Sequence, residues 1–247
     1  MDDFDPAFCF YDDPDVPENE DADKYSPILR RIHQALWSKA LPTGAMLDLR
    51  ADQYGLSVTN PTELGNLRLS SDTIASSHRN YRRRGIDALW NSLPVEDRLR
   101  YDRAFYTVGG FIVFPCHANS INQRRGTDGR IDDRFDLTLE CIRRYYEGVT
   151  DPKQNPLGDV LRIDSTFFDL FGTGIDGFTH YVDFFHLGDL VADGRIRWFD
   201  ESTGDSWKFA DSPLPKTVDD YKRYLNSVLR FVHDRGDRIA GALGGSK

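Results

Sequence analysis

The sequence predicts an α+β fold: a small mixed or antiparallel sheet in the N-terminal half, backed by helices, and then a helical, aromatic-rich C-terminal half. Three observations carry this expectation. Short extended segments bounded by Gly and Asn-Pro turn signals crowd residues 45–71. A continuous β-branched and aromatic run, FYTVGGFIVF, ends at Phe114 and has the character of a strand covered on both faces. Beyond residue 130, apolar side chains recur at helical spacing.

Residues 1–24 hold ten acidic side chains and one lysine, a charge of −9 that equals the balance of the whole chain. So acidic and Pro-interrupted a run (YDDPDVPENEDADK) predicts a disordered arm. It is either a solvating tail or a cover for a cationic surface that competes there with an anionic ligand. Residues 25–243 are then read as a single globular α+β domain. Ser26-Pro27 supplies a helix N-cap and a proline at the first helical position. Ile28, Leu29, Ile32 and Leu36 share one face of that helix, and LPTG (41–44) ends it. The extended segments AMLDLR, GLSVTN and NLRLSS follow, then helices in RNYRRRGIDALWNSL and, past Pro94, in VEDRLRYDRA. Residues 105–114 are expected to form a central strand.

A helix is expected from Ile131 to Tyr146, where Phe135, Thr138, Leu139, Ile142 and Tyr145 keep the same spacing. Leu137 and Cys141 lie off that face and imply contact on a second side. STFFDLF and GFTHYVDFFHLGDLV read as buried helices and RIRWFD as a strand. Thr217 and Asp220 have the spacing of a capping box for a last helix reaching about residue 242.

With 39% hydrophobic and 13% aromatic residues over 247 positions, the chain can bury a core. The longest apolar run, Ala104–Cys116, is broken by Gly109, Gly110 and Pro115 and falls short of the roughly 18 residues of a membrane span, so no membrane partner is expected. The acidic N-terminus lacks the basic start of a secretory signal. Cys9, Cys116 and Cys141 are widely spaced with no CxxC, which fits reduced thiols in a cytoplasmic protein.

Candidate chemistry concentrates in FPCHANSINQRRGTDGR (114–130) and the helix after it. The loop places Asn119, Asn122, Arg124 and Arg125 near a helix N-terminus, an arrangement suited to an anion. Asp132 and Asp133, expected in the first helical turn, already occupy that positive end. Asp136 and Glu140 fall four residues apart on one side. They read either as a solvated, salt-bridged face or as a carboxylate pair that could act as base, hold a divalent metal or orient an arginine. The dense cluster HRNYRRRG (78–85) is compatible with nucleic-acid backbone contact but matches no groove-reading motif. No HExxH, Cys/His ligand quartet, GxSxG or phosphate-loop glycine pattern is present. Cys116 and His117, adjacent at a strand end, point to opposite faces, so Cys116 reads as a small buried residue. His180 reads as a core histidine.

The stretches YTVGGFIVFP, SINQRRG, DRFDLTLECIRRYYEG and YVDFFHLGDLV, in that order, resemble an uncharacterised family of bacterial cytosolic proteins, over about Tyr25 to Ile239. The resemblance implies no activity. It implies that Asn122, Arg125, Gly126, Asp133, Arg134, Asp136, Glu140 and Arg143 belong to a shared pattern, in which a glutamine would stand where this chain has Gly188.

Two readings of function follow. In the first, the chain is an effector-like enzyme acting on a phosphate-bearing substrate, a nucleotide or nucleic acid. Asp136, Glu140 and Arg125 are then catalytic, and Asn119, Asn122, Arg124, Arg134 and Arg143 bind substrate. No residue is assigned as a metal ligand and the cofactor is left open, a divalent metal being compatible with the carboxylates. In the second, the chain is a non-catalytic binding or interaction protein. The polar loop and helix are then structural, and the aromatic C-terminal half meets a protein partner. An open cleft at Asp136, Glu140 and Arg125 favours the first; mutual pairing sealed by the 105–114 strand favours the second.

Overall fold

The computed structural model describes residues 5–18, 20–44, 46–52, 55–59, 66–76, 84–127, 130–200 and 214–244. Among the described residues, four helices and four strands build the N-terminal half: α1 (Ala22–Tyr25), α2 (Pro27–Trp37), β1 (Leu49–Asp52), β2 (Gly55–Thr59), β3 (Asn66–Thr73), α3 (Arg84–Asn91), α4 (Val95–Phe105) and β4 (Phe111–Pro115). The strands form one antiparallel sheet in the order β1-β2-β3-β4. Five helices and a hairpin follow: α5 (Phe135–Tyr146), α6 (Gly158–Ile163), α7 (Ser165–Phe168), α8 (Gly174–Phe184), β5 (Val191–Ala192), β6 (Arg195–Ile196) and α9 (Val218–Gly244). The fold is α+β, with an aromatic core in its helical half.

Local chemistry sets several boundaries where the sequence places them. Ser26 Oγ accepts the Leu29 N–H at 3.0 Å and so caps α2. Thr217 and Asp220 exchange side chain-to-backbone bonds of 3.1 and 3.2 Å at the start of α9. RIRWFD contributes the short β6, which pairs with β5 around Asp193 and Gly194, both at positive φ, the geometry of a two-residue hairpin turn. The helix expected over residues 177–191 stops earlier. His186 takes φ 55°, and the N–H groups of His186 and Leu187 bond back to Asp183 and Val182, closing α8 in a Schellman motif.

The strand expected over 105–114 is displaced and shortened. Val108–Gly110 form a 3-10 turn, and β4 begins at Phe111. Among the described residues it lies at the end of the strand order, beside β3. Both its faces are nonetheless buried, because α9 packs on the turn before it and the Phe10 ring meets Phe111 edge to face at 5.7 Å. Glycine makes the α9 contact possible. A Cβ at Gly109 would lie 1.9 Å from the Val232 carbonyl oxygen.

The structure describes residues 5–18 and 20–24 of the acidic arm. Its described residues hold apolar anchors: Cys9, Phe10 and Ala22 are buried, and Phe10 N–H donates to Tyr106 O at 2.9 Å. Asp13, also buried, accepts the Ser26 hydroxyl at 2.5 Å, while Asp12 pairs with Arg103 on α4. Composition averaged over the arm conceals these few fixed points.

The aromatic C-terminal half is a core, not an exposed surface. Phe167, Phe168, Phe171, Tyr181, Phe184 and Phe185 are all buried. Their rings meet at centroid distances such as 5.2 Å for Phe171–Tyr181 and 5.0 Å for Tyr181–Phe185, and Trp37 joins them from α2. The rings proposed from the sequence to meet a partner are therefore already occupied with one another.

Candidate functional site

After β4 the chain exposes Cys116, His117, Ala118 and Asn119, then dives at Ser120 and Ile121. Gln123–Thr127 form a π-helical turn, which widens the backbone spacing and carries Arg124 and Arg125. The turn expected at 127–129 lies partly outside the described residues, as does most of the basic cluster 78–85. The helix expected from Ile131 starts four residues later, at Phe135, because Arg134 is extended (φ −133°, ψ 128°). Asp132 and Asp133 consequently precede α5, and Asp136 is the acidic residue of its first turn. Leu137 and Cys141 are buried along with the predicted face, so α5 is covered on two sides as their positions imply.

The predicted residues separate into distinct ion-pair groups. Arg125, 4% exposed, reaches back to β3, where its guanidinium bonds Asp72 at 2.9 and 3.1 Å and also the Thr73 carbonyl. Asp133 stands 3.8 Å away and accepts Ser76 Oγ at 3.0 Å. Desolvation works against the Arg125 charge, but the Asp72 and Asp133 carboxylates more than offset it and its pKa is raised. Asn122 Nδ2 donates to Ser70 Oγ at 2.8 Å, fixing the loop to the same strand.

Arg134 and Asp136 make the second group, both fully buried. The guanidinium donates to Asp136 at 3.1 and 2.6 Å, a two-point contact. Asp136 also accepts the N–H groups of Leu137 at 3.0 Å and Phe199 at 2.9 Å. The face of Tyr224 lies 5.5 Å from the Arg134 guanidinium carbon. Burial opposes the Arg134 charge, and Asp136 more than restores it, so its pKa rises.

Glu140 forms the third. It accepts Arg143 at 2.7 and 3.0 Å and Arg144 at 2.7 Å, and Arg143 also pairs with Glu147 at 2.5 Å. Asp136 and Glu140 thus serve different arginines despite their helical spacing. Asn119 is exposed, and its Oδ1 accepts Arg124. Among the described residues no group of three His, Cys, Asp or Glu side chains could hold a metal ion.

Three features escaped the sequence reading. Cys116 is exposed rather than buried, because the strand ends at Pro115 and only the Cys116 N–H reaches back, to Arg68 O at 2.9 Å. His117 Nε2 lies 2.6 Å from Asp164 Oδ1, and Nδ1 accepts the Asn119 N–H at 3.2 Å. The proton therefore sits on Nε2, both ring nitrogens are engaged, and the pair ties the loop to the α6–α7 corner. His180, read as a core histidine, is only half-buried, with Nδ1 bonded to Phe171 O at 3.0 Å.

The third is Arg235 on α9, fully buried. It donates to the carbonyls of Phe185 at 3.0 Å, Gly109 at 2.6 Å and Phe111 at 2.8 Å. Among the described residues no carboxylate pairs with it, and desolvation lowers its pKa to about 9. A signal for it exists: Tyr221, Leu225, Val228, Val232, Arg235 and Ile239 form one buried helical stripe, and a single charge in such a stripe must find polar partners across the interface.

A partly open cavity of about 360 Å³ lies elsewhere, between the N-terminal segment, α4 and α9. The model of a family of unknown function, DUF6994, matches residues 4–239 of this chain. No curated protein and no solved structure matches it.

Proposed function

The chain belongs to this family, and on that premise we propose that it is a non-catalytic binding protein in which the polar loop and α5 are structural. One observation carries the reading. Arg125, Arg134, Asp136 and Glu140 are each at most 5% exposed, and each is hydrogen-bonded to a side chain of opposite charge. A catalytic carboxylate or a phosphate-binding arginine needs substrate within hydrogen-bond reach. Here a phosphate would have to displace Asp72 from Arg125, or Glu140 from Arg143 and Arg144, and leave a buried carboxylate without its partner. A cavity of about 360 Å³ away from these groups has the size of a small-molecule site.

The rival reading, an enzyme acting on a nucleotide or nucleic acid, is tested by a thermal-shift screen of nucleotides, short RNA and divalent ions, with Asp136→Ala as control. A ligand at a hundred times its Kd stabilises by about 2.7 kcal/mol, roughly 5–11 °C for a chain of this size. The binding-protein reading expects no such shift from phosphate-bearing compounds, and Asp136→Ala to be destabilised with or without them. A nucleotide-induced rise in wild type that Arg125→Lys abolishes would overturn it.

A further inference from the structure

We infer that the cavity between the N-terminal segment, α4 and α9 binds an amphiphilic anion, a compact apolar body carrying one carboxylate or sulfonate. This deepens the binding reading by naming its site and ligand class. The walls come from three places in the chain: Pro6, Ala7 and Cys9 from the arm, Ala104 from α4, and Leu229 and Val232 from α9. Desolvation raises the pKa of the Cys9 thiol, so that wall is uncharged at neutral pH. A space of about 360 Å³ with such walls favours an apolar body of modest size.

The charged lining gives the ligand its head. Arg100, Arg103 and His233 line the cavity, against one acid, Asp237. The two guanidinium groups and the imidazole each have a carboxylate neighbour, but the contacts differ. Arg103 is held by Asp12. Arg100 stands 3.5 Å from Asp97, longer than a charge-assisted hydrogen bond of about 2.8 Å. His233 stands 3.5 Å from Asp237, and both are largely exposed. A guanidinium has five N–H donors, so Arg100 and Arg103 retain capacity for a second anion. Asp12 belongs to the same acidic arm whose residues 6–9 form a wall. The arm therefore both shapes the site and supplies the carboxylate that competes for Arg103.

The test uses the full chain and the fluorescent probe 1-anilinonaphthalene-8-sulfonate, displaced by decanoate or by decanol. The expected result is saturable binding of one probe per chain, with decanoate effective at about tenfold lower concentration than decanol. Arg100→Gln should weaken decanoate by about threefold and leave decanol unchanged, and Asp12→Asn should tighten decanoate. Ala104→Trp fills the cavity from α4 and should abolish probe binding. Ala7→Trp, on an exposed position of the arm, does the same without altering a helix. Probe binding that survives both tryptophan variants in folded protein, or equal potency of decanol and decanoate, overturns the proposal. Neither outcome touches the structural role of the buried ion pairs, which the nucleotide screen judges separately.

Discussion

Gly109→Ala should be among the most damaging single-methyl additions this chain can suffer. The new Cβ would stand 1.9 Å from Val232 O, 2.8 Å from Val232 C and 2.9 Å from Gly236 N, all backbone atoms of α9. Relief to 3.0 Å requires the turn and the helix to part by about 1.1 Å, and overpacking of this kind costs about 1–3 kcal/mol. The same movement stretches the Arg235 bonds to Gly109 and Phe111, now 2.6 and 2.8 Å, past hydrogen-bond range. Losing a bond from a buried charged donor costs about 1.5–3 kcal/mol. A combined loss of about 4 kcal/mol lowers Tm by roughly 8–16 °C, measurable by scanning calorimetry. Gly236→Ala is the matched control. Its Cβ finds nothing nearer than 3.8 Å, and alanine in a helix gains up to about 1 kcal/mol over glycine. The reasoning is refuted if Gly109→Ala melts within about 2 °C of wild type, or if both alanines cost the same.

Asp136→Asn leaves the buried Arg134 without its carboxylate and should cost about 3–5 kcal/mol in urea unfolding; an unchanged midpoint would remove the structural role assigned to the pair. Phe10→Ala, although in the acidic arm, should cost about 3–5 kcal/mol, because the ring is fully buried; a loss under about 1 kcal/mol would return the arm to a solvated tail. Acid should weaken the fold through His33, whose Nδ1 accepts the Trp37 indole N–H at 3.0 Å and whose pKa burial pushes down to about 3. The unfolded chain takes up this proton below about pH 6.5 and the folded one does not, so stability falls as pH drops from there towards 3. The loss between pH 7 and 5 is about 2 kcal/mol. His33→Gln should flatten the urea-midpoint profile over that interval. His186, also pushed down by burial, to about 4, supplies part of the slope that remains.

What the sequence made legible was local. The Ser26 cap and the Thr217–Asp220 box need only three or four residues, so spacing alone determines them. Covering of both faces at Phe111–Pro115 was readable, but apolar content reports burial and not hydrogen-bonding neighbours, and among the described residues the strand lies at an edge. At the candidate site Arg125, Arg134, Asp136 and Glu140 attract notice in the sequence through their charge, their spacing and the resemblance, and a structural ion pair produces those signals as well as a catalytic one does. The partner of Arg125, Asp72, lies 53 positions away, beyond any spacing argument. For Asp136 the deciding donor includes the Phe199 N–H, 63 positions on. The cavity was illegible for the same reason, its walls coming from opposite ends of the chain.

The guanidinium of residue 235 also has a bearing on how the chain acquires its shape during synthesis. It is a knot through which the peptide groups at 109, 111 and 185 are joined, the first of them 126 positions earlier. Until that side chain has emerged, the carbonyls of 109 and 111 lack this donor and the 3-10 turn lacks its cover. A nascent chain halted before residue 235 would therefore leave the carbonyls of 109, 111 and 185 without this donor, to be satisfied by water or another group. Contacts so distant in sequence carry a large loop-closure entropy, which slows their formation relative to the local turns and caps.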